Sequence, residues 1–244
     1  STISLYTSFP VFKDISAQVR LVNINFTSPS VGTLPKLDFI GSAMHRLRHE
    51  SFLFHDKEDG SAAPAIYYND SPQAVCINLI KELIQTNTIV SNSIQPIDSA
   101  LDTNGLFSIN GLKKPLYYLL EFLSEMGKSV LETGSEYIVT KADGKYDILA
   151  FNENILNQLT IDFNFIHGID NCKLTQKKLA SAKSCISFWC QLDFNSNISE
   201  KDKGFIDRMS MPEISFQMIT KANCYKFTCS LDPQDIVLIS LEGK

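Results

Sequence analysis

The 244-residue sequence holds one tryptophan, Trp189, and four histidines, and its longest basic runs are the pairs Lys113-Lys114 and Lys177-Lys178. With a net charge of -5 and no basic run, it lacks the phosphate-neutralising surface that direct nucleic-acid binding requires. No apolar run approaches the roughly 18 residues of a membrane span, and no basic start leads into an apolar stretch. A soluble, cytoplasmic segment is the expectation. The six cysteines, Cys76, Cys172, Cys185, Cys190, Cys224 and Cys229, form no CxxC pair and have no histidine at metal-ligand spacing. They read as buried free thiols, with an extracellular disulfide framework as the alternative. His45 and His49 share a helix face but lack the glutamate of HExxH, so they read as a solvated face. No metal and no cofactor is expected. There is no internal repeat, low-complexity tract or flexible linker.

What is present is ordinary folding material: 44% hydrophobic, 20% charged and 10% aromatic residues. Short strands are expected at Ile3-Tyr6, Val19-Phe26 and Pro64-Tyr68, with a helix over Pro35-Phe54 between the last two. Ser71 and Pro72 suit the N-cap and first position of a helix through Val75, Leu79, Ile80, Leu83 and Ile84. A weak strand near Ser93-Ile97 precedes a helix over Pro115-Glu132, where Leu116, Leu119, Leu120, Leu123, Met126 and Val130 recur at helical spacing.

After Gly134 the period changes to two. Tyr137-Thr140 and Tyr146-Phe151 flank an Asp143-Gly144 turn and predict a hairpin. Leu159-Phe165, Glu213-Ile219, Tyr225-Leu231 and Ile236-Leu241 read as further strands, interrupted by a short helix over Ser199-Met209 with Ser199 as its cap. Alternating strands and helices suggest βα units, but a full barrel takes about 250 residues, and about half that number precede Glu132. The expected fold is α/β plus all-β: a partial or degenerate (β/α) barrel over 1-132, then an antiparallel β-sandwich over 133-244.

Gly105-Tyr118 (GLFSINGLKKPLYY) followed by Phe122-Gly127 (FLSEMG) resembles family 39 glycoside hydrolases, the β-xylosidase family. There a stretch of the form G-L-hydrophobic-x-x-x-G-I-K-K-P leads from the final barrel strand into the final helix. The likeness continues in order through Glu136-Thr140, Tyr146-Asn152, Ser187-Trp189 to Pro212-Glu213, and Leu231-Leu241. Pro64-Asn69 (PAIYYN) resembles the family's strand ending T-E-W-N, whose glutamate is the nucleophile. In that alignment Tyr67 stands at the glutamate, Tyr68 at the tryptophan and Asn69 at the asparagine.

A phenol is a poor replacement for a carboxylate that must attack and later leave an anomeric carbon, although tyrosine nucleophiles exist in sialidases. The family's acid/base glutamate belongs to an N-E-P motif, and none precedes Tyr67. The one Asn-Glu pair, Asn152-Glu153, falls at a sandwich strand end. Hence no catalytic residue is assigned. Tyr67, Tyr68, Asn69, Asp98 and Asp102 remain as ligand-binding candidates for a xylose-like sugar or oligosaccharide, and Trp189 reads as core or interdomain packing.

The resemblance implies three roles. One is a non-catalytic module, sugar-sensing or structural, of a larger cytoplasmic protein such as an AraC-type transcription regulator. The others are the C-terminal part of an active β-xylosidase, and an interaction scaffold whose half-barrel edge pairs with another chain; a homodimer is a separate expectation.

Overall fold

The computed structural model describes residues 18-26, 29-34, 72-86, 95-97 (backbone), 105-108, 110-165, 169-192 and 197-243. The elements expected at Ile3-Tyr6, Pro35-Phe54 and Pro64-Tyr68, the candidate cap Ser71, and His45 and His49 lie outside them.

Two antiparallel-rich sheets and a helical layer build the fold. Strands β5 (Ser129–Thr133), β6 (Tyr137–Ala142), β7 (Lys145–Phe151), β9 (Cys172–Leu179), β10 (Glu213–Ile219) and β12 (Ile236–Gly243) join the two-residue β2 (Gly32–Thr33). Their order, β10-β9-β12-β7-β6-β5-β2, is antiparallel throughout. Facing them is a three-stranded sheet of β1 (Gln18–Ile24), β8 (Leu159–Phe165) and β11 (Tyr225–Leu231). β1 runs parallel to β8, from Gln18 opposite Leu159 to Ile24 opposite Phe165. This N-terminal strand, expected at Val19-Phe26 within 1-132, therefore lies in one sheet with strands from 133-244.

Period-2 patterning decides which core each residue enters. Ile148, Ala150, Val237, Ile239 and Leu241 point into the space between the sheets, where they meet Ile161, Phe163, Phe165, Cys229 and Leu231. Their neighbours Leu149, Phe151, Ile236 and Leu238 point the other way, onto α1 (Pro72–Thr86) and α2 (Pro115–Glu125). With both faces covered, the run Ile236-Leu241 is buried at all six positions. α1 turns Cys76, Ile77, Leu79, Ile80 and Leu83 inward, while Val75 and Ile84, expected on the stripe, are half-buried.

α2 ends at Glu125, seven residues before its expected end, and Met126 is already extended at ψ 148°. Tertiary packing overrides the helical period here. A Cβ on Gly127 would sit 2.3 Å from the Lys141 carbonyl carbon, so the chain can pass the β6-β7 hairpin only as glycine. Val130 and Leu131 then alternate between the two cores as strand residues. The hairpin turns at Asp143-Gly144, with Gly144 at φ 69°, a conformation glycine adopts without steric cost. Strand β9, which the sequence pattern did not single out, completes the sheet between β10 and β12.

β3 (Gln95–Ile97) and β4 (Gly105–Phe107) form a separate parallel pair, with Gln95 opposite Gly105 and Ile97 opposite Phe107. Two further helices, α3 (Cys185–Cys190) and α4 (Glu200–Ser210), pack with Leu112 around Trp189. Ser199 caps α4 by accepting from Asp202 N at 3.2 Å, as its sequence position predicts.

Candidate functional site

Ligands of parallel α/β folds gather at the carboxyl ends of the strands, where loops leave the sheet. In this chain the carboxyl end of β3 leads straight into Asp98. The five candidates Tyr67, Tyr68, Asn69, Asp98 and Asp102 all lie outside the described residues. Beyond β4, however, the chain is described and can be built up atom by atom.

From Phe107 the backbone makes a tight reversal. Gly111 N donates to Ser108 O at 2.8 Å, Ser108 N donates to Leu112 O at 2.9 Å, and the buried Ser108 Oγ accepts from Leu112 N at 3.2 Å. Gly111 takes φ 77° to close it. Lys114 N then donates back to Leu106 O at 2.9 Å, and Pro115 opens α2. This reversal carries Lys113 and Lys114 to opposite fates. Lys113 lays its ammonium 4.6 Å from the centre of the Tyr117 ring and donates its backbone N–H to Asp207 Oδ1 at 3.4 Å. Lys114 is 1% exposed, a burial that neither composition nor spacing announced.

Around this point sit Tyr118 and Cys185, both buried. Burial first, then the charge of Asp207, pushes the Tyr118 phenol well above its usual value. Burial pushes the Cys185 thiol up to about 12, with Lys114 opposing. Both groups are therefore protonated near neutral pH, and neither serves as an anionic nucleophile. The Tyr118 hydroxyl and Asn110 Nδ2 have no hydrogen-bond partner among the described residues.

Two carboxylates fully buried among the described residues, Asp147 and Asp235, are committed elsewhere. Asp147 accepts from Gly127 N at 2.9 Å and Ser240 Oγ at 2.6 Å and pairs with Lys145 at 2.9 Å. Asp235 accepts from Ser181 N at 2.9 Å and Asp232 N at 3.0 Å and pairs with Lys178 at 2.6 Å. With three donors each, they hold the sheet to its flanking segments. Glu153 is exposed and ion-paired to Lys81. Asn152 caps the loop after β7, donating to Asn157 O at 2.9 Å, Asp232 O at 3.1 Å and Leu231 O at 3.2 Å.

Trp189 is 1% exposed among Leu112, Cys185, Ile198 and Ile206, so its ring offers no face to a sugar. All six cysteines are free; Cys76, Cys172, Cys185 and Cys229 are buried as expected, whereas Cys190 and Cys224 are exposed. Among the described residues no cluster of His, Cys, Asp or Glu is arranged to hold a metal ion, and no helix is long and apolar enough to cross a membrane.

No protein-family model matches the chain, and no curated protein matches it. Solved structures do. The GH39 enzyme from Xanthomonas axonopodis pv. citri superposes with TM-score 0.57 at 11% identity, over 93% of this chain and 54% of that one. A monomeric β-xylosidase from Caulobacter crescentus CB15 gives 0.54 at 13% identity, over 91% and 55%. A bacterial orthologue of human α-L-iduronidase gives 0.53 at 10%, over 93% and 48%. The chain spans about half the length of each. At these identities the likeness speaks of fold alone: the chain has a glycoside-hydrolase-like fold of the kind seen in family 39 xylosidases.

Proposed function

We propose that the chain is a non-catalytic glycoside-hydrolase-like module, serving as the sugar-sensing or structural part of a larger cytoplasmic protein such as an AraC-type transcription regulator. The observation that carries this reading is Tyr67 at the position where the family resemblance calls for a nucleophilic glutamate. Retaining hydrolysis needs two carboxyl groups about 5 Å apart, and the resemblance places neither. On this reading β3, β4, α1 and α2 belong to a degenerate (β/α) barrel within 1-132, and 133-244 is the sandwich module, joined by β1, β2 and β5, which start before residue 133. The regulator context rests on analogy with family architecture.

A sensing cleft would use Tyr67 and Tyr68 for stacking on a pyranose face and Asn69, Asp98 and Asp102 for its hydroxyls. Calorimetric titration with xylose and xylobiose tests this. Saturable heat that is lost in Tyr68→Ala and Asp98→Asn supports sensing; no heat at millimolar sugar removes sensing and leaves the structural role. The second reading, the C-terminal part of an active β-xylosidase, draws on the fold likeness to enzymes about twice this chain's length. It requires hydrolytic turnover, an outcome an assay decides.

A further inference from the structure

Strand β10 ends the seven-stranded sheet, and among the described residues only β9 pairs with it. Six of its seven residues are exposed. Ile214, Phe216 and Met218 form one row at 53%, 65% and 56% exposure. The opposite row is Glu213, Ser215, Gln217 and the buried Ile219. Met209 and Met211, 39% and 54% exposed, immediately precede the strand in the chain.

Sheet edges are normally protected by lysine, proline or a bulge, since unpaired N–H and C=O groups otherwise template pairing. EISFQMI has none of these. Its register with β9 runs unbroken from Glu213 opposite Lys178 to Ile219 opposite Cys172. A regular edge strand with an exposed apolar row is the signature of a strand that is meant to be paired.

We propose that β10 is a self-association edge: two copies of the chain pair β10 with β10, antiparallel, about a two-fold axis through Phe216. Such an axis, normal to the sheet, sets residues of like facing opposite each other. The register that uses all seven residues puts Phe216 opposite itself, Ile214 opposite Met218 and Ser215 opposite Gln217. The central five positions pair apolar with apolar and polar with polar, and Glu213 falls opposite Ile219 at each end.

Charge fits as well. The strand's one charge, Glu213, lies at its start, and Lys221 lies two residues past its end. Antiparallel pairing therefore sets each Glu213 diagonal to the partner's Lys221, within reach of long side chains. Within one chain Glu213 is held by Lys183 and Lys221 by Asp170 at 2.9 Å, so charges alternate in sign at each end of the seam. On β9, Lys173 lies over the Phe216 ring at 4.9 Å and Lys177 pairs with Glu125, so both ammonium groups are engaged within their own chain. Pairing of two such edges consumes both, so the assembly closes as a dimer rather than growing.

Sedimentation of the full chain over a dilution series tests the proposal. The wild type should reach twice 27.3 kDa and fall toward the monomer on dilution. Phe216→Lys, which opposes two ammonium groups at the axis, should remain a monomer while keeping native Trp189 emission. The register has its own readout in a Cys190→Ser/Cys224→Ser background. There Phe216→Cys should cross-link to dimer under mild oxidation, because directly opposite Cα atoms lie about 4.5–5.5 Å apart, within disulfide reach. Ile214→Cys, whose opposite residue is Met218, should not. A wild type that stays monomeric throughout, a Phe216→Lys dimer, or equal cross-linking from both cysteine positions overturns the proposal.

Discussion

Asp147 Oδ2 accepts a hydrogen bond from the backbone N–H of Gly127 at 2.9 Å, twenty residues earlier in the chain. That bond ties the end of α2 to the middle of the seven-stranded sheet, while Asp147 Oδ1 accepts from Ser240 on β12 at 2.6 Å. One carboxylate thus joins the helical layer to two central strands. Asp147→Ala strands a buried N–H and hydroxyl and removes the partner of Lys145. It should cost about 3 kcal/mol, since loss of one member of a buried charged network typically costs roughly 3–5 kcal/mol and Lys145 retains some solvent. Ser240→Ala, which removes one donor to the carboxylate and leaves the other two, should cost less, about 1.5 kcal/mol. Urea denaturation midpoints of the two variants measure the difference.

Two glycines should respond to alanine with opposite signs. On Gly127 a Cβ meets Lys141 backbone atoms at 2.3 and 2.4 Å, whereas on Gly204, inside α4, nothing lies within 4 Å. Gly127→Ala should destabilise by about 2 kcal/mol or more through overpacking. Gly204→Ala should stabilise by roughly 0.5–1 kcal/mol, the helical preference of alanine over glycine. Thermal midpoints moving in the same direction would contradict the packing described.

Thiol reactivity should divide the cysteines two against four. The thiolate is the reacting species, and burial raises the thiols of Cys76 and Cys172 and pushes those of Cys185 and Cys229 up to about 12. Alkylation at pH 8 should modify Cys190 and Cys224 quickly and the other four only after denaturation. Peptide mass mapping of a timed reaction distinguishes this pattern from a disulfide-bonded chain, in which fewer than six thiols would titrate.

Asp162 gives the fold a defined acid dependence. Hydrogen bonds from Lys226 and Thr228 hold its carboxyl below the ordinary value. A carboxyl with a depressed folded value stabilises above its unfolded pKa, about 3.9, and loses that contribution as pH falls through the folded value. Asp162→Asn should therefore melt below wild type at neutral pH, with the gap closing as the solution is acidified beneath pH 4. A gap that widens on acidification would reverse the sign argued here.

Much of the sandwich was legible because its strands are regular. Leu159-Phe165, Glu213-Ile219 and Tyr225-Leu231 coincide with the observed elements, and Ser199 caps α4 as its sequence context predicts. Patterning failed where tertiary contact overrode it. Val130 continues the helical spacing of α2, yet the close approach required at Gly127 ends the helix and makes Val130 a strand residue. β9 was missed because Lys173, Gln176, Lys177 and Lys178 interrupt its apolar residues; its membership in the sheet comes from partners on both sides. The site was the least legible part. The burial of Lys114, and that of Asp147 and Asp235 with donors such as Gly127, Ser240 and Ser181, depends on segments distant in sequence. A Lys-Lys pair or a strand aspartate reads from the chain as a solvated charge.

The reading of this chain as a glycoside-hydrolase fold without glycoside hydrolysis is tested most directly by incubating it with an aryl β-xyloside and an activated fluoroxyloside. Phenolate release would be followed by absorbance and covalent labelling by intact mass. The account predicts release no faster than in buffer and an unchanged protein mass. Sustained release together with a one-sugar mass increase would show a working nucleophile and contradict it.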